Sequence, residues 1–151
     1  MLKNVGGLLL EEASDYIVEM GFDGADLTVR EGGYVLPGEV SEKLPRAVSI
    51  LNAKGLDVPM ITTNITDAKK DYAEDIFKAA SKCSVKYIKL GYWRYEGFGS
   101  IAAQIEETRR RLRELYALSR EHDVTATIHT HAGPYLSADP GLLATLLKDY
   151  D

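Results

Sequence analysis

Short apolar runs alternate with helical patterns along this chain, and that alternation limits its fold more than any other feature. Four runs have the length and the β-branched or aromatic content of strands, and each follows a turn signal. Because parallel neighbours in a sheet need a crossover helix between them, strict alternation predicts a parallel sheet. The four predicted strands are residues 25–29, 58–63, 85–90 and 124–129.

Amphipathic patterns occupy the intervals between these strands. Apolar residues recur with the helical period of three to four residues, most clearly over residues 100–121. The predicted helices are residues 10–20, 41–54 with Pro45 in the first turn, 66–82 with Asp67 near its N-terminus, 100–121, and 139–148. Two architectures fit this order: an open doubly wound sheet, or a sector of a (β/α)₈ barrel. No glycine-rich phosphate fingerprint follows any predicted strand, which argues against a nucleotide-binding unit.

Composition narrows the class of protein. The chain has 151 residues, enough for one domain, and 45% of them are hydrophobic. The formal net charge of -5 argues against a nucleic-acid partner, since phosphate binding favours a basic face. No segment approaches the roughly 20 apolar residues that cross a bilayer, and the first residues lack a signal-peptide pattern. We therefore expect a soluble, cytoplasmic protein that binds neither nucleic acid nor membrane.

Both architectures place a ligand site at the carboxyl ends of the strands. His129 and His131 are two residues apart, so on a strand both imidazoles face one side and can converge on a ligand, a proton or a metal. Alternatively, one histidine caps the strand end and the other lies on the solvent-exposed rim of the sheet. The third histidine, His122, falls in the last turn of a predicted helix, where a cation suits the helix dipole, and is predicted to be structural.

Other candidates lie at the same predicted edge. Lys89 sits within an apolar strand and predicts a contact with a substrate oxygen or carboxylate, with Asp26 as a partner; alternatively, its amine reaches solvent. Trp93, with its neighbouring tyrosines, could stack on a sugar face or could cover a core edge. Cys83 is predicted to be a packing residue.

Three segments resemble the xylose isomerase-like TIM-barrel superfamily of sugar isomerases, epimerases and inosose dehydratases. They are Gly-Phe-Asp-Gly-Ala-Asp-Leu at 21–27, Tyr-Ile-Lys-Leu-Gly at 87–91 and Ile-His-Thr-His-Ala-Gly at 128–133. The resemblance implies that residues 1–151 form a single partial barrel domain, with strands two to five of eight. The family's fifth strand commonly places a glutamate metal ligand where this chain has His129, and the histidine-x-histidine form is closer to the inosose dehydratase-like branch.

The resemblance also implies a function. The parent protein would be a sugar or sugar-phosphate isomerase or epimerase, or a related sugar lyase, that moves a proton next to a carbonyl with help from a divalent metal such as Mn, Zn, Mg or Co. A complete barrel would bind that metal, with His129 as one ligand, whereas this chain alone would not hold a full metal site. The implied catalytic residues are His131 and Lys89, and the implied substrate-binding residues are Asp26, Arg30, Asn64, Trp93 and Arg94.

Two other classes of function stay open at this point. One is a non-catalytic carbohydrate-binding or assembly module. The other is an endonuclease IV-like phosphodiesterase, which shares the barrel but is disfavoured by the acidic balance of the chain. Since a partial barrel leaves strand edges unpaired, we also expect self-association through those edges.

Overall fold

The computed structural model describes residues 7–150, and within them helices and strands alternate as predicted. Two short 3₁₀ helices, Pro37–Glu39 and Leu136–Ala138, lie in the loops. The main elements are α1 (Leu10–Glu19), β1 (Gly24–Thr28), α2 (Val40–Asn52), β2 (Asp57–Thr62), α3 (Ala73–Lys82), β3 (Tyr87–Lys89), α4 (Ile101–Glu121), β4 (Thr125–Thr127) and α5 (Pro140–Leu147).

The four strands form one parallel sheet in the order β1-β2-β3-β4. Each helix packs against the next one along the chain, from α1 to α5, so the helices form a single layer. A doubly wound sheet would instead reverse its strand order and place helices on both faces. Sequential order with one helical layer is the arrangement of a barrel sector, which confirms the predicted partial (β/α)₈ fold.

The two faces of the sheet differ in chemistry. Leu27, Ile61 and Ile88 are in register on neighbouring strands, have no exposed surface, and belong to the core that the helices cover. Burying each such side chain contributes about 1.5–3 kcal/mol. Alternate residues point to the other face, which we call the inner face. The next register row there runs Thr28, Thr62, Lys89 and Thr127. The inner face is therefore polar along the row nearest the strand ends.

Most predicted boundaries agree with the structure to within two residues, but the start of α3 does not. It was predicted at residue 66, whereas the helix begins at Ala73. Asp67 explains the difference, since its carboxylate accepts a hydrogen bond from the backbone N–H of Lys69 at 2.9 Å and holds a turn that competes with the helix. Tyr72 then adopts a left-handed conformation, with φ of 65°, immediately before the helix.

Pro45 was predicted in the first turn of its helix, but it lies further inside because α2 begins at Val40. Proline lacks the amide hydrogen that would bond to the carbonyl of Ser41. Both residues are exposed, so water can satisfy that carbonyl. The helix therefore continues through the proline to Asn52.

The outer edge of β4 is partly capped by a side chain. The hydroxyl of Ser119, on α4, donates to the carbonyl of Val124 and accepts from the N–H of Ala126 at 3.1 Å. These backbone groups point away from β3, which bonds instead to Thr125 and Thr127. Beyond this cap, a cavity of about 600 Å³ lies between β4, α4 and α5. Within residues 7–150 no further strand pairs with β4.

None of the helices in the described part of the chain is long and apolar enough to span a membrane.

Candidate functional site

The carboxylate of Asp26 lies on the inner face of β1 and is held by the neighbouring strand. The hydroxyl of Thr62 lies 2.9 Å from both carboxylate oxygens, to which it donates a shared hydrogen bond. Burial raises the pKa of Asp26 above its ordinary value, against the hydrogen bond from Thr62 and the positive charges of Lys89 and Arg30, which lower it. Asp26 is thus a carboxyl group whose neutral form is favoured more than usual.

Lys89 is the charged residue of the inner-face register row. Only 6% of its surface is exposed, and its Nζ atom lies 3.5 Å from the centroid of the Tyr92 ring. A cation over an aromatic face gains about 0.5–2 kcal/mol, which offsets part of the cost of removing the ammonium from water. The lysine is therefore held beneath Tyr92, and its charge also acts on Asp26. The alternative of an amine extended freely into solvent does not describe this side chain.

Tyr92, His131 and Tyr135 form an aromatic cluster above this lysine. The ring of Tyr92 lies 4.7 Å from that of His131 and 5.2 Å from that of Tyr135, and the latter two rings are 5.0 Å apart. The hydroxyl of Tyr92 also lies 3.5 Å from Nδ1 of His129, at the outer limit of a hydrogen bond. Tyr92 thus contacts both histidines and Lys89, which brings the three predicted chemical groups together.

The geometry of His131 assigns its tautomer. Its Nδ1 atom lies 2.7 Å from the carbonyl oxygen of Ala132. A carbonyl only accepts hydrogen bonds, so Nδ1 carries the proton and Nε2 of the neutral ring is an acceptor. His131 is exposed, as is His129. Nε2 of His131 can therefore receive a proton from a bound molecule.

Backbone pairing between two loops builds this cluster. The N–H of Tyr95 donates to the carbonyl of Pro134, and the N–H of Leu136 donates to the carbonyl of Trp93, both at 2.9 Å. Arg94 and Tyr135 form an antiparallel bridge between the same loops. The pairing places Tyr135 against Tyr92. Sequence analysis missed Tyr135, because no local pattern indicates that the loops after β3 and β4 pair.

Arg30 lies at the end of β1, half-buried, where a tight turn returns the chain to that strand. Its N–H donates to the carbonyl of Val35 at 3.0 Å, and the N–H of Val35 donates to the carbonyl of Thr28 at 3.2 Å. A Cβ atom on Gly33 would lie 2.8 Å from the carbonyl oxygen of Thr28, so the turn needs glycine there. Burial raises the pKa of Tyr92, and the positive charge of Arg30 opposes that shift.

Three predicted substrate-binding residues lie outside the cluster. Trp93 is 8% exposed and, with Arg94 and Tyr92, lines a cavity of about 490 Å³ against α4. The indole Nε1 of Trp93 is buried without a hydrogen-bond partner among the described residues. Asn64 is exposed after β2, beside Gly91, where a Cβ atom would meet the Asn64 carbonyl oxygen at 2.7 Å.

Metal binding was expected only for a complete barrel. Within residues 7–150 no three histidine, cysteine, aspartate or glutamate side chains group closely enough to hold a metal ion. On the inner face, both carboxylate oxygens of Asp26 accept the hydrogen bond from the hydroxyl of Thr62. The role of His129 as a metal ligand stays a prediction.

No protein-family model and no curated protein matches this sequence. Solved structures do match in fold. A xylose isomerase-like TIM barrel protein from Mycobacterium smegmatis, in complex with magnesium, is 16% identical with a TM-score of 0.64, covering 92% of this chain and 52% of that one. A D-tagatose 3-epimerase-like protein is 14% identical with a TM-score of 0.66, covering 94% and 59%.

A third similar structure is D-psicose 3-epimerase with D-tagatose, from Clostridium cellulolyticum H10. It is 11% identical with a TM-score of 0.59, and the match covers 93% of this chain and 55% of that one. The present chain thus spans between 52% and 59% of the lengths of these three proteins. With its sequential four-stranded parallel sheet and single helical layer, the chain has the fold of part of a xylose isomerase-like TIM barrel.

Proposed function

We propose that this chain forms part of the substrate site of a sugar isomerase or epimerase, one that moves a proton next to a carbonyl group. The single observation behind the proposal is the meeting of Lys89, Tyr92 and the two histidines at the carboxyl ends of β3 and β4. Parallel α/β folds bind their ligands at this end of the sheet. The similarity in fold to a D-tagatose 3-epimerase-like protein and to a D-psicose 3-epimerase supports a sugar as the ligand.

Each group has a role that its geometry suits. Nε2 of His131 accepts the proton, because Nδ1 is engaged with the Ala132 carbonyl. Lys89, a buried ammonium, stabilises the negative charge that develops on the carbonyl oxygen as the proton leaves. Asp26 and Arg30 bind substrate hydroxyl or charged groups, and Tyr135 and Tyr92 present aromatic surfaces. Asn64, Trp93 and Arg94 would contribute from the rim.

Exchange of a carbon-bound hydrogen tests the proposal directly. D-tagatose incubated with the chain in deuterated water should lose the proton next to its carbonyl, as followed by ¹H NMR. His131→Gln should slow this exchange by about 10²–10⁴-fold, the usual contribution of a positioned general base. His122→Gln is the matched control, since His122 follows α4 at the opposite end of the sheet.

Failure of exchange separates the two classes of function. Saturable binding of the sugar without any exchange would support the non-catalytic carbohydrate-binding module instead. Exchange at an equal rate in His131→Gln and in the unaltered chain would contradict the role of His131. Thermal unfolding of both histidine variants shows whether each retains its fold, which matters most for His122 because its Nε2 atom is buried.

A further inference from the structure

Phe98 is displayed at the tip of the connection between β3 and α4. Its side chain is 106% exposed, more than any other large hydrophobic side chain within residues 7–150. The N–H of Ser100 donates to the carbonyl of Gly97 at 3.2 Å, which closes a tight turn around Phe98. Gly97 and Gly99 have φ of 117° and 85°, a conformation that glycine adopts readily and other residues rarely do. The sequence Gly-Phe-Gly is thus suited to presenting the ring to solvent.

Side-chain hydrogen bonds from the first turn of α4 hold this tip in place. The amide of Gln104 accepts from the N–H of Glu96 at 3.0 Å and donates to the carbonyl of Arg94 at 2.9 Å. The hydroxyl of Ser100 lies 2.7 Å from the carbonyl oxygen of Gly97. A group that is fixed before it binds loses less conformational entropy on binding. Phe98 is therefore a preorganised aromatic anchor, and aromatic residues are enriched at the centres of protein interfaces.

The surface around Phe98 carries both signs of charge. Arg94 and Glu96 are exposed, and neither forms an ion pair with another residue of the described range. Tyr95 and Ile101, each 38% exposed, add apolar surface to the same segment. A partner of uniform charge, such as a nucleic acid or an anionic membrane, would meet one of the two charges as a repulsive contact.

A second copy of the same surface matches both charges. In a two-fold contact one patch binds itself, so residue i of the first copy contacts residue j of the second, and j of the first contacts i of the second. Arg94 of each copy can then face Glu96 of the other while the two Phe98 rings cover each other. The patch is thus self-complementary, as a symmetric dimer requires.

We infer that residues 94–101, which we call the Phe98 loop, bind the Phe98 loop of a second copy of this chain across a two-fold axis. This contact is separate from the outer edge of β4, and it does not depend on the proposed function. Tyr92 lies two residues before Arg94, so the contact brings the candidate sites of the two copies close to each other. The loop is much smaller than the roughly 20–30 residues that each partner contributes to a standard interface, so we expect a weak dimer.

Sedimentation equilibrium of the 151-residue chain measures the dissociation constant of this dimer. Phe98→Ser should raise the dissociation constant at least about tenfold, the effect of losing one interface anchor. Phe22→Ser is the matched control, because Phe22 is also exposed, at 59%, but precedes β1 at the opposite end of the sheet. Both rings are exposed, so both variants should keep the fold, which circular dichroism verifies. Association through the β4 edge should be the same in all three proteins.

Charge reversal tests the pairing across the axis. Arg94→Glu and Glu96→Arg should each weaken association, because each places like charges at both symmetric contacts. An equimolar mixture of the two variants should associate again, since every contact in the mixed pair then joins opposite charges. The bonds from Gln104 go to the backbone of residues 94 and 96, so neither substitution removes them.

Three results would overturn the inference. One is a dissociation constant that Phe98→Ser leaves unchanged, or that Phe22→Ser raises equally. Another is a mixture of the two charge variants that associates no more tightly than either variant alone. The third is a chain that remains monomeric at every concentration; binding of that monomer to phosphatidylcholine vesicles, lost in Phe98→Ser, would assign Phe98 to a lipid surface.

Discussion

Replacing Thr62 with valine tests the polar pair at the centre of the inner face. Valine has nearly the shape of threonine but cannot donate a hydrogen bond, and residue 62 is only 2% exposed, so no water replaces its hydroxyl. A hydrogen bond to an ionised group contributes about 1.5–3 kcal/mol, against about 0.5–1.5 kcal/mol for a neutral pair. Because Asp26 is only partly buried and water can reach it, we expect Thr62→Val to lower the free energy of unfolding by about 1–2 kcal/mol at pH 7.

The loss of unfolding free energy caused by Thr62→Val should be larger at high pH than at low pH. The hydrogen bond from Thr62 lowers the pKa of Asp26, so its removal raises that pKa further in the folded state only. The folded variant then holds its proton at pH values where the unaltered protein has lost it. By linkage, the cost of Thr62→Val is greatest above the folded pKa of Asp26 in the variant and falls to its smaller, neutral-pair value below the folded pKa of Asp26 in the unaltered protein; the unfolded pKa is the same for both proteins and cancels. Urea unfolding at pH 7 and at pH 3 should differ in this cost by roughly 1 kcal/mol.

Two controls isolate the interaction. Thr62→Ser keeps the hydroxyl and removes one methyl group, so its cost of about 0.8 kcal/mol should be the same at both pH values. In an Asp26→Asn background, the pH dependence of Thr62→Val should disappear, because no carboxylate remains to titrate. A cost of Thr62→Val that is identical at pH 7 and pH 3, and unchanged in that background, would refute the pairing of Thr62 with Asp26.

Two further expectations concern the open edge and the metal. Within residues 7–150 the outer edge of β4 has no neighbouring strand beyond its Ser119 cap, so the chain should self-associate at micromolar concentration. Ser119→Ala should strengthen this association by exposing the N–H of Ala126. Sedimentation velocity that shows a concentration-independent monomer for both proteins would contradict this. Zinc should bind weakly, since His129 and His131 can fill only half of a tetrahedral shell. Competition with a chelating dye measures that affinity, and tight binding that survives His129→Ala would show that the ligand is elsewhere.

The sequence alone predicted the elements because their signals are local. Hydrophobic periodicity over ten to twenty residues identified α4, and Asp139 followed by Pro140 marked the start of α5, where the Asp139 carboxylate accepts from the N–H of Leu142 at 2.6 Å. The start of α3 was missed because the Asx turn at Asp67 depends on one side-chain hydrogen bond that periodicity does not detect. Strand–helix alternation then limited the sheet to parallel order.

The candidate site also combines residues that local sequence signals predicted with residues whose positions depend on long-range contacts. The positions of Lys89 at the end of β3 and of the two histidines after β4 were enough to predict that they lie at one edge of the sheet, since strand ends in a parallel sheet meet there. Both histidines were predicted to face one side of a strand, but that alternation does not apply, because β4 ends at Thr127 and His129 and His131 lie in the loop that follows. Pairing of the loops after β3 and β4 determined the remaining positions in the site. It placed Tyr135 beside Tyr92 and directed Trp93 toward α4. Those positions depend on hydrogen bonds between residues about forty apart in the chain, and such contacts form only once the sheet has brought the two loops together.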